Sequence, residues 1–442
     1  MSGPPLVLVL FDQLRADVLG HGLTPRLDAL AAQAVTFPNA VTDAALCRPA
    51  RVTLATGLPV HAHGLDSNRT VADPAPLPSH VRRLRDEAGY HTVVVGKTHL
   101  HAGTGHLDDH LPRLRAWGYA DAVELPDAQE HRLGSAHGDA LTADQHRRWR
   151  EYVAARTDSP PDAPPWDLPL DLHLDVFCAR TAAARIRAWD GDAPPYLQVC
   201  FPGPHPPFDA PRAFRRDPDD PALPPPILAP SRGPVPPVRV RYRRGQARRT
   251  ERELRDGRAR YLAKVALLDH CLGIVLDALR DARWDPWLVV TADHGELAGD
   301  HGLFGKVLAW DGALRVPLLV RPPGGTVGRT DDSDASLRDV AETLGALGGI
   351  GPGALAERVL QPLPARRRPI LSEALGHVAL RDGPFTFGWD RATGRAVELY
   401  DRRDDPLECH NRVGDPALAE AEDRLTDALH TLRPGLRPSA PG

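Results

Sequence analysis

The sequence predicts an α/β fold: a doubly wound, mostly parallel central sheet flanked by helices, with a smaller C-terminal antiparallel sheet plus helix subdomain. Two observations predict the larger part. Short β-branched or apolar runs recur at 6–11, 92–95, 196–201, 287–291 and 316–320, and uninterrupted runs of that length read as parallel strands buried on both faces. Helix-period segments lie between them. Residues 24–35 have Pro25 placed for a first turn, and 262–279 carry Leu262, Val265, Leu268, Leu272, Val275 and Leu279 on one stripe. Strand and helix in alternation imply a sheet covered on both faces.

A third observation predicts the appendage. From about residue 365 the pattern becomes short alternating runs at 369–375, 378–381, 385–389 and 396–400, separated by Gly and Asp turns, with a final helix over 416–432. The expected division is therefore 1–365 for the α/β domain and 366–442 for the α+β subdomain. Residues 208–237 are so rich in proline that they read as an irregular excursion near a site entrance. The next stretch, 239–260, is dense in arginine. It reads either as a patch that steers an anion or as a solvated helix face.

Composition narrows the partners. A formal charge of -4 over 442 residues gives no global reason to expect nucleic acid or a membrane surface. The five cysteines are widely spaced and include no C-x-x-C pair, so neither a disulfide framework nor a zinc cluster is expected. The apolar run at 6–11 is too short for a secretion signal or a spanning helix, and the expectation is a cytoplasmic chain. Lysine occurs only at Lys97, Lys264 and Lys306, although arginine is abundant. A compact ammonium is a different tool from a planar guanidinium, so these positions invite attention.

Metal-like or catalytic residue types follow the predicted strands at once, where open parallel sheets gather their functional groups. Asp12 and Gln13 follow the first strand, and Gly96, Lys97 and His99 the second. Pro204-His205-Pro206-Pro207 follows the third; Asp293 and His294 follow the fourth and lead to Gly299-Asp300-His301-Gly302-Leu303-Phe304-Gly305-Lys306. Taken singly, Asp12-Gln13 is also an ordinary polar strand end, His205 a surface-loop residue, and His99, with His101 and His106 nearby, part of an exposed polar cluster.

The string Cys47-Arg48-Pro49-Ala50-Arg51, followed by Val52-Thr53-Leu54-Ala55-Thr56-Gly57, resembles the C-x-P-x-R signature of type I cysteine sulfatases. Together with the strand-end strings, Thr24-Pro25-Arg26-Leu27-Asp28, Leu314-Arg315-Val316-Pro317 and Glu398-Leu399-Tyr400-Asp401, it makes nearly the whole chain similar to the formylglycine-dependent sulfatase branch of the alkaline phosphatase superfamily.

The resemblance implies hydrolysis of a sulfate monoester to an alcohol and inorganic sulfate. It implies that a formylglycine-generating enzyme oxidises Cys47, that the aldehyde hydrate attacks sulfur through one hydroxyl, and that the second hydroxyl then expels sulfate from the covalent sulfo-enzyme. It implies one divalent metal ion held by Asp12, Gln13, Cys47, Asp293 and His294; analogy favours calcium, while the imidazole makes manganese a rival. Gln13 and His294 stand where many sulfatases have a second acid and an asparagine.

Roles for the other residues follow by position in the motifs. Arg51 holds the hydrated side chain, Asn68 adds a hydrogen bond to it, and the helix beginning near Arg51 turns amides toward the anion. Asp293 accepts the proton of the attacking hydroxyl. Lys97 and Lys306 bind sulfate oxygens, His99 is the base for sulfate release, and His205 is the acid that protonates the alcohol and contacts the substrate. His301 falls behind the ligands. The rival activity is a phosphonate monoester or phosphodiester hydrolase of the same superfamily, against which the Lys97-His99 pair argues, since those relatives carry hydroxyl residues there. A non-catalytic anion-binding relative is the other alternative.

Overall fold

A computed structural model of the chain describes residues 3–101, 105–128, 134–155 and 163–436. Its strands in chain order are β1 (Leu6–Asp12), β2 (Val35–Thr36), β3 (Asn39–Val41), β4 (His91–Gly96), β5 (Asp121–Glu124), β6 (Pro195–Pro204), β7 (Trp287–Ala292), β8 (Leu318–Arg321), β9 (Arg329–Thr330), β10 (Asp334–Ser336), β11 (Ile370–Ala374), β12 (His377–Asp382), β13 (Phe385–Asp390) and β14 (Arg395–Asp401). The main sheet runs β5-β4-β6-β1-β7-β8-β2-β9. β4, β5, β6, β1 and β7 are mutually parallel, as the buried runs imply. β8 corrects the expectation of a parallel strand at 316–320, because it pairs antiparallel with both β7 and β2. A run buried on both faces carries no mark of direction, so its sequence could not show this.

Every residue of β1 is buried, and β1 sits between β6 and β7. The long helix Glu251–Asp281 covers one face. It starts eleven residues before the predicted stripe because Thr250 and Glu253 form a capping box that ends the preceding loop. Most of the arginine-rich stretch is therefore helix, because a second helix, Pro237–Arg244, covers its beginning. Among its arginines, Arg258 is buried beside Asp300 and Asp17, and Arg239 is buried with its guanidinium 4.8 Å from the centre of the Trp310 ring. Those two are structural, which removes them from any patch that steers an anion.

The small sheet, in order β11-β12-β13-β14, is antiparallel throughout. Helix Ala419–Leu432 covers one face with Leu425 and Leu429, against Val378, Leu380, Phe387 and Leu399. The opposite face shares a core with Ala45, Leu46, Trp310 and Leu314, which brings Ile370, Ala374, Ala379 and Tyr400 against the segment that carries Cys47. Two backbone bonds, Glu373 to Asp43 and Leu375 to Asp66, tie the same edge down. Between 208 and 236 the only helix is the single turn Arg212–Phe214, in keeping with the proline content.

Candidate active site

The strand ends converge on the first residue of helix Cys47–Thr56. Every residue of that helix is buried, and it ends where Gly57 takes the left-handed conformation (φ 71°). Ligand atoms of Asp12, Cys47, Asp293 and His294 all lie within 4.8 Å of one another. Asp12 closes β1, and Asp293 and His294 follow β7, so neighbouring strands place them side by side.

Hydrogen bonding orients each donor. The Asp293 Oδ1 accepts the Gln13 amide at 3.0 Å and the His294 amide at 2.8 Å. The His294 Nδ1 sits 2.9 Å from the Gly295 carbonyl, which fixes the proton on that nitrogen and turns Nε2 toward Cys47, 3.2 Å from its Sγ. Burial pushes the His294 imidazole down to about 4, and an imidazole kept neutral is the form that ligates a metal. Two carboxylates, a neutral imidazole and the residue-47 side chain thus suit a divalent cation, and the Gln13 carboxamide is adjacent.

Three cations hold this negative group together. Arg51, one turn after Cys47, donates from Nε to Asp293 at 2.8 Å and from Nη2 to Asp12 at 3.1 Å. The Lys97 ammonium lies between Asp12 and Asp127, with Asp127 Oδ2 at 2.5 Å. Lys306 donates to Gln13 Oε1 at 2.7 Å and to Cys47 Sγ at 3.0 Å. Burial raises the Asp12 carboxyl, yet Lys97, His205 and Arg51 together hold it well below the usual carboxylate range. Burial of Lys97 is likewise outweighed, by Asp12 and then Asp127, so the ammonium stays charged.

The turns that deliver these cations have few sequence solutions. Gly96 has φ 113°, and a Cβ there would fall 1.9 Å from the Cys200 carbonyl, so only glycine lets β4 close against β6 just before Lys97. Gly305 has φ 92° with the Tyr242 hydroxyl in the place of its Cβ, and that hydroxyl accepts the Lys306 amide at 2.9 Å.

His99, also at a positive φ of 58°, has a buried Nδ1 without a partner; burial, then Lys97, holds its imidazole well below the usual range. His205 is buried, its amide bonded to the Asp12 carbonyl at 3.0 Å, and its Nδ1 lies 3.0 Å from the Pro206 carbonyl and 3.6 Å from Asp127. Neither histidine is a surface-loop residue.

One expectation needs adjusting. Asn68 does not face the residue-47 side chain through its Oδ1, which accepts the Arg48 amide at 3.0 Å. His301 stacks on Trp310 with ring centres 3.9 Å apart. Lys264 is buried in a network with Asp209 at 2.7 Å, His173 at 3.1 Å and Asp175 at 3.3 Å. Asp175 in turn accepts the Gly203 amide at 2.8 Å, just before His205.

Two residues carry no sequence signal strong enough to single them out. Glu296 accepts the Gln13 carboxamide and the Ala298 and Gly305 amides, and so braces the loop that ends in Lys306. Its place two residues after His294 was the available signal. Asp127 follows Leu125-Pro126, which matches no motif. Both are polar groups whose work appears only when distant segments meet.

Comparisons with known proteins identify the family. The family model described as Sulfatase matches residues 4–350. The multifunctional alkaline phosphatase superfamily protein PehA of Trinickia caryophylli is 28% identical, over 84% of this chain and 78% of its own length. The choline-sulfatase of Rhizobium meliloti is 27% identical, over 93% and 83%. The phosphonate monoester hydrolase structure from Agrobacterium radiobacter superposes with a TM-score of 0.81 at 24% identity, covering 98% of this chain and 96% of that one. With a family model spanning most of its length and the signature cysteine in a buried, cation-lined cluster at the strand ends, the chain belongs to the sulfatase family of sulfuric ester hydrolases.

Proposed function

We propose that this chain hydrolyses a sulfate monoester at Cys47. The observation that carries the reading is the pair of ammonium groups, Lys97 and Lys306, gathered with Arg51 around the residue-47 side chain and the Asp12-Asp293-His294 group. Formylglycine at Cys47 supplies, as its hydrate, one hydroxyl to attack sulfur and a second to release sulfate. Asp12, Gln13, Asp293, His294 and residue 47 would hold a divalent ion, which when bound would supply Lewis acidity to that hydroxyl and to the ester oxygens.

The chain's own groups do the rest. Lys306 reaches residue 47 and binds the transferring group, and Lys97, past β4 on the same edge of the sheet, binds it beside Asp12. Arg51 keeps both ligand carboxylates oriented and neutralised. His99, held neutral, is a base for the release step, and His205 protonates the alcohol with Nε2 because the Pro206 carbonyl engages Nδ1. Asn68 acts through the backbone of Arg48.

A second reading, phosphonate monoester or phosphodiester hydrolysis, is favoured by Gln13 and His294, the ligand pair often found in such relatives. The fold likeness to the phosphonate monoester hydrolase of Agrobacterium radiobacter accords with it. Lys97 and His99 favour the sulfate ester. The discriminating experiment compares kcat/KM for 4-nitrophenyl sulfate and 4-nitrophenyl phenylphosphonate on protein co-expressed with a formylglycine-generating enzyme. Preference for the phosphonate would replace the first reading with the second.

A further inference from the structure

The carboxylate of Asp127 lies outside the cation-binding group and reaches two of its neighbours. It sits after β5, with its side chain 16% exposed, and contacts the two groups that face an incoming ester. Its Oδ2 is 2.5 Å from Lys97 Nζ, and its Oδ1 is 3.6 Å from His205 Nδ1. Lys97 is therefore flanked by two carboxylates, Asp12 and Asp127. An ammonium so compensated attracts an anion less than a bare one, and the deficit grows with the anion's charge.

Resting on the proposed sulfate-ester reading, we propose that Asp127 is a specificity-determining residue that fits the pocket to singly charged tetrahedral esters and against doubly charged ones. The chemistry gives this a use. Hydrolysis converts a sulfate monoester, carrying one negative charge, and water into an alcohol, a sulfate dianion and a proton. A pocket matched to the monoanion releases the dianionic product and rejects phosphate monoesters, whose second ionisation has a pKa of about 6. Asp127 acts here through Lys97 and through the field it adds, with no bond to the reacting atoms.

The test is Asp127→Asn, with Asp127→Glu as the charge-preserving companion. Kinetics are measured on two monoanions, 4-nitrophenyl sulfate and 4-nitrophenyl phenylphosphonate, and on the dianion 4-nitrophenyl phosphate above pH about 7, with inorganic sulfate as the competing product. Asp127→Asn should raise kcat/KM for the phosphate relative to both monoanions, and tighten inhibition by sulfate, each by about tenfold. Most of the change belongs in KM and Ki, and Asp127→Glu should restore the wild-type ratio. Equal scaling of all three esters with unchanged sulfate inhibition would overturn the proposal. If Asp127→Asn fails to fold, competition in the wild-type protein decides: methyl sulfate must bind more tightly than inorganic sulfate, and the reverse order refutes it. Wild-type turnover of the phosphonate without the sulfate ester would defeat the proposed function alone, since both esters carry one charge.

Discussion

The Lys306 ammonium lies 3.0 Å from the Cys47 sulfur while also donating to Gln13, so one cation spans the nucleophile position and the cation-binding group. A planar guanidinium cannot occupy that space with the same two contacts. Lys306→Arg and Lys97→Arg should keep the charge and lower kcat/KM by about 10²-fold, because groups that meet developing charge depend on placement. Arg280→Lys, on the exposed end of the long helix, is the neutral comparison. Lys264→Arg is not, since Lys264 is ion-paired in the interior. Steady-state kinetics with thermal melting separates the outcomes.

Arg48 binds four carbonyl groups, those of His99, Asn68, Thr70 and His101, and so staples the nucleophile helix to the loop that bears His99. Arg48→Ala removes donors from buried acceptors and should cost about 2 kcal/mol or more. It should also lower kcat more than it raises KM, because the His99 loop loses its anchor while the cation cluster remains. Denaturant melts and the kcat-against-KM split check both parts.

Acid should destabilise the metal-free protein. Burial pushes His63, His80 and His301 each down to about 4 from 6.5. Between those values the unfolded chain binds more protons than the folded one, so the stability these groups contribute is complete above about 6.5 and is lost as pH falls toward 4. Asp43, raised to about 7 by burial, works in the opposite direction from 3.8 upward, as one group against three. Melting temperature should therefore fall from pH 6.5 to pH 4. His63→Asn should flatten the slope, because protonating His63 breaks the bond that its Nδ1 accepts from the Leu65 amide.

Cation binding has its own readout. With two carboxylates and a neutral imidazole converging on residue 47, calcium or manganese should raise the melting temperature of chelator-treated protein. Asp293→Asn should abolish that rise, and a rise of equal size in the variant would remove Asp293 from the ligand group. Comparing the two metals at equal concentration orders their affinities.

Much of the fold and site was legible, for particular reasons. β1, β4, β6 and β7 are continuous apolar runs, and the residues just past each of them land at the site because parallel strands end on the same edge. The four strands of the small sheet were legible from their alternation and turns. The direction of β8 was not, and neither was the early start of the long helix, where arginine-rich sequence hid a capping box at Thr250. At the site, Asp12, Asp293 and His294 are adjacent because their motifs mark strand ends, and Cys47 joins them as the first residue of a buried helix. Asp127, Glu296 and the Arg48 staple serve groups far away in sequence, and no local pattern records such partners.

The central claim is tested most directly by one measurement on protein co-expressed with a formylglycine-generating enzyme: the peptide mass at position 47 read against turnover of 4-nitrophenyl sulfate in the same samples. Activity should rise in proportion to the fraction carrying the mass expected for replacement of the thiol by an aldehyde, with none in Cys47→Ala. Full sulfate-ester turnover by protein whose Cys47 remains an unmodified thiol would contradict the account.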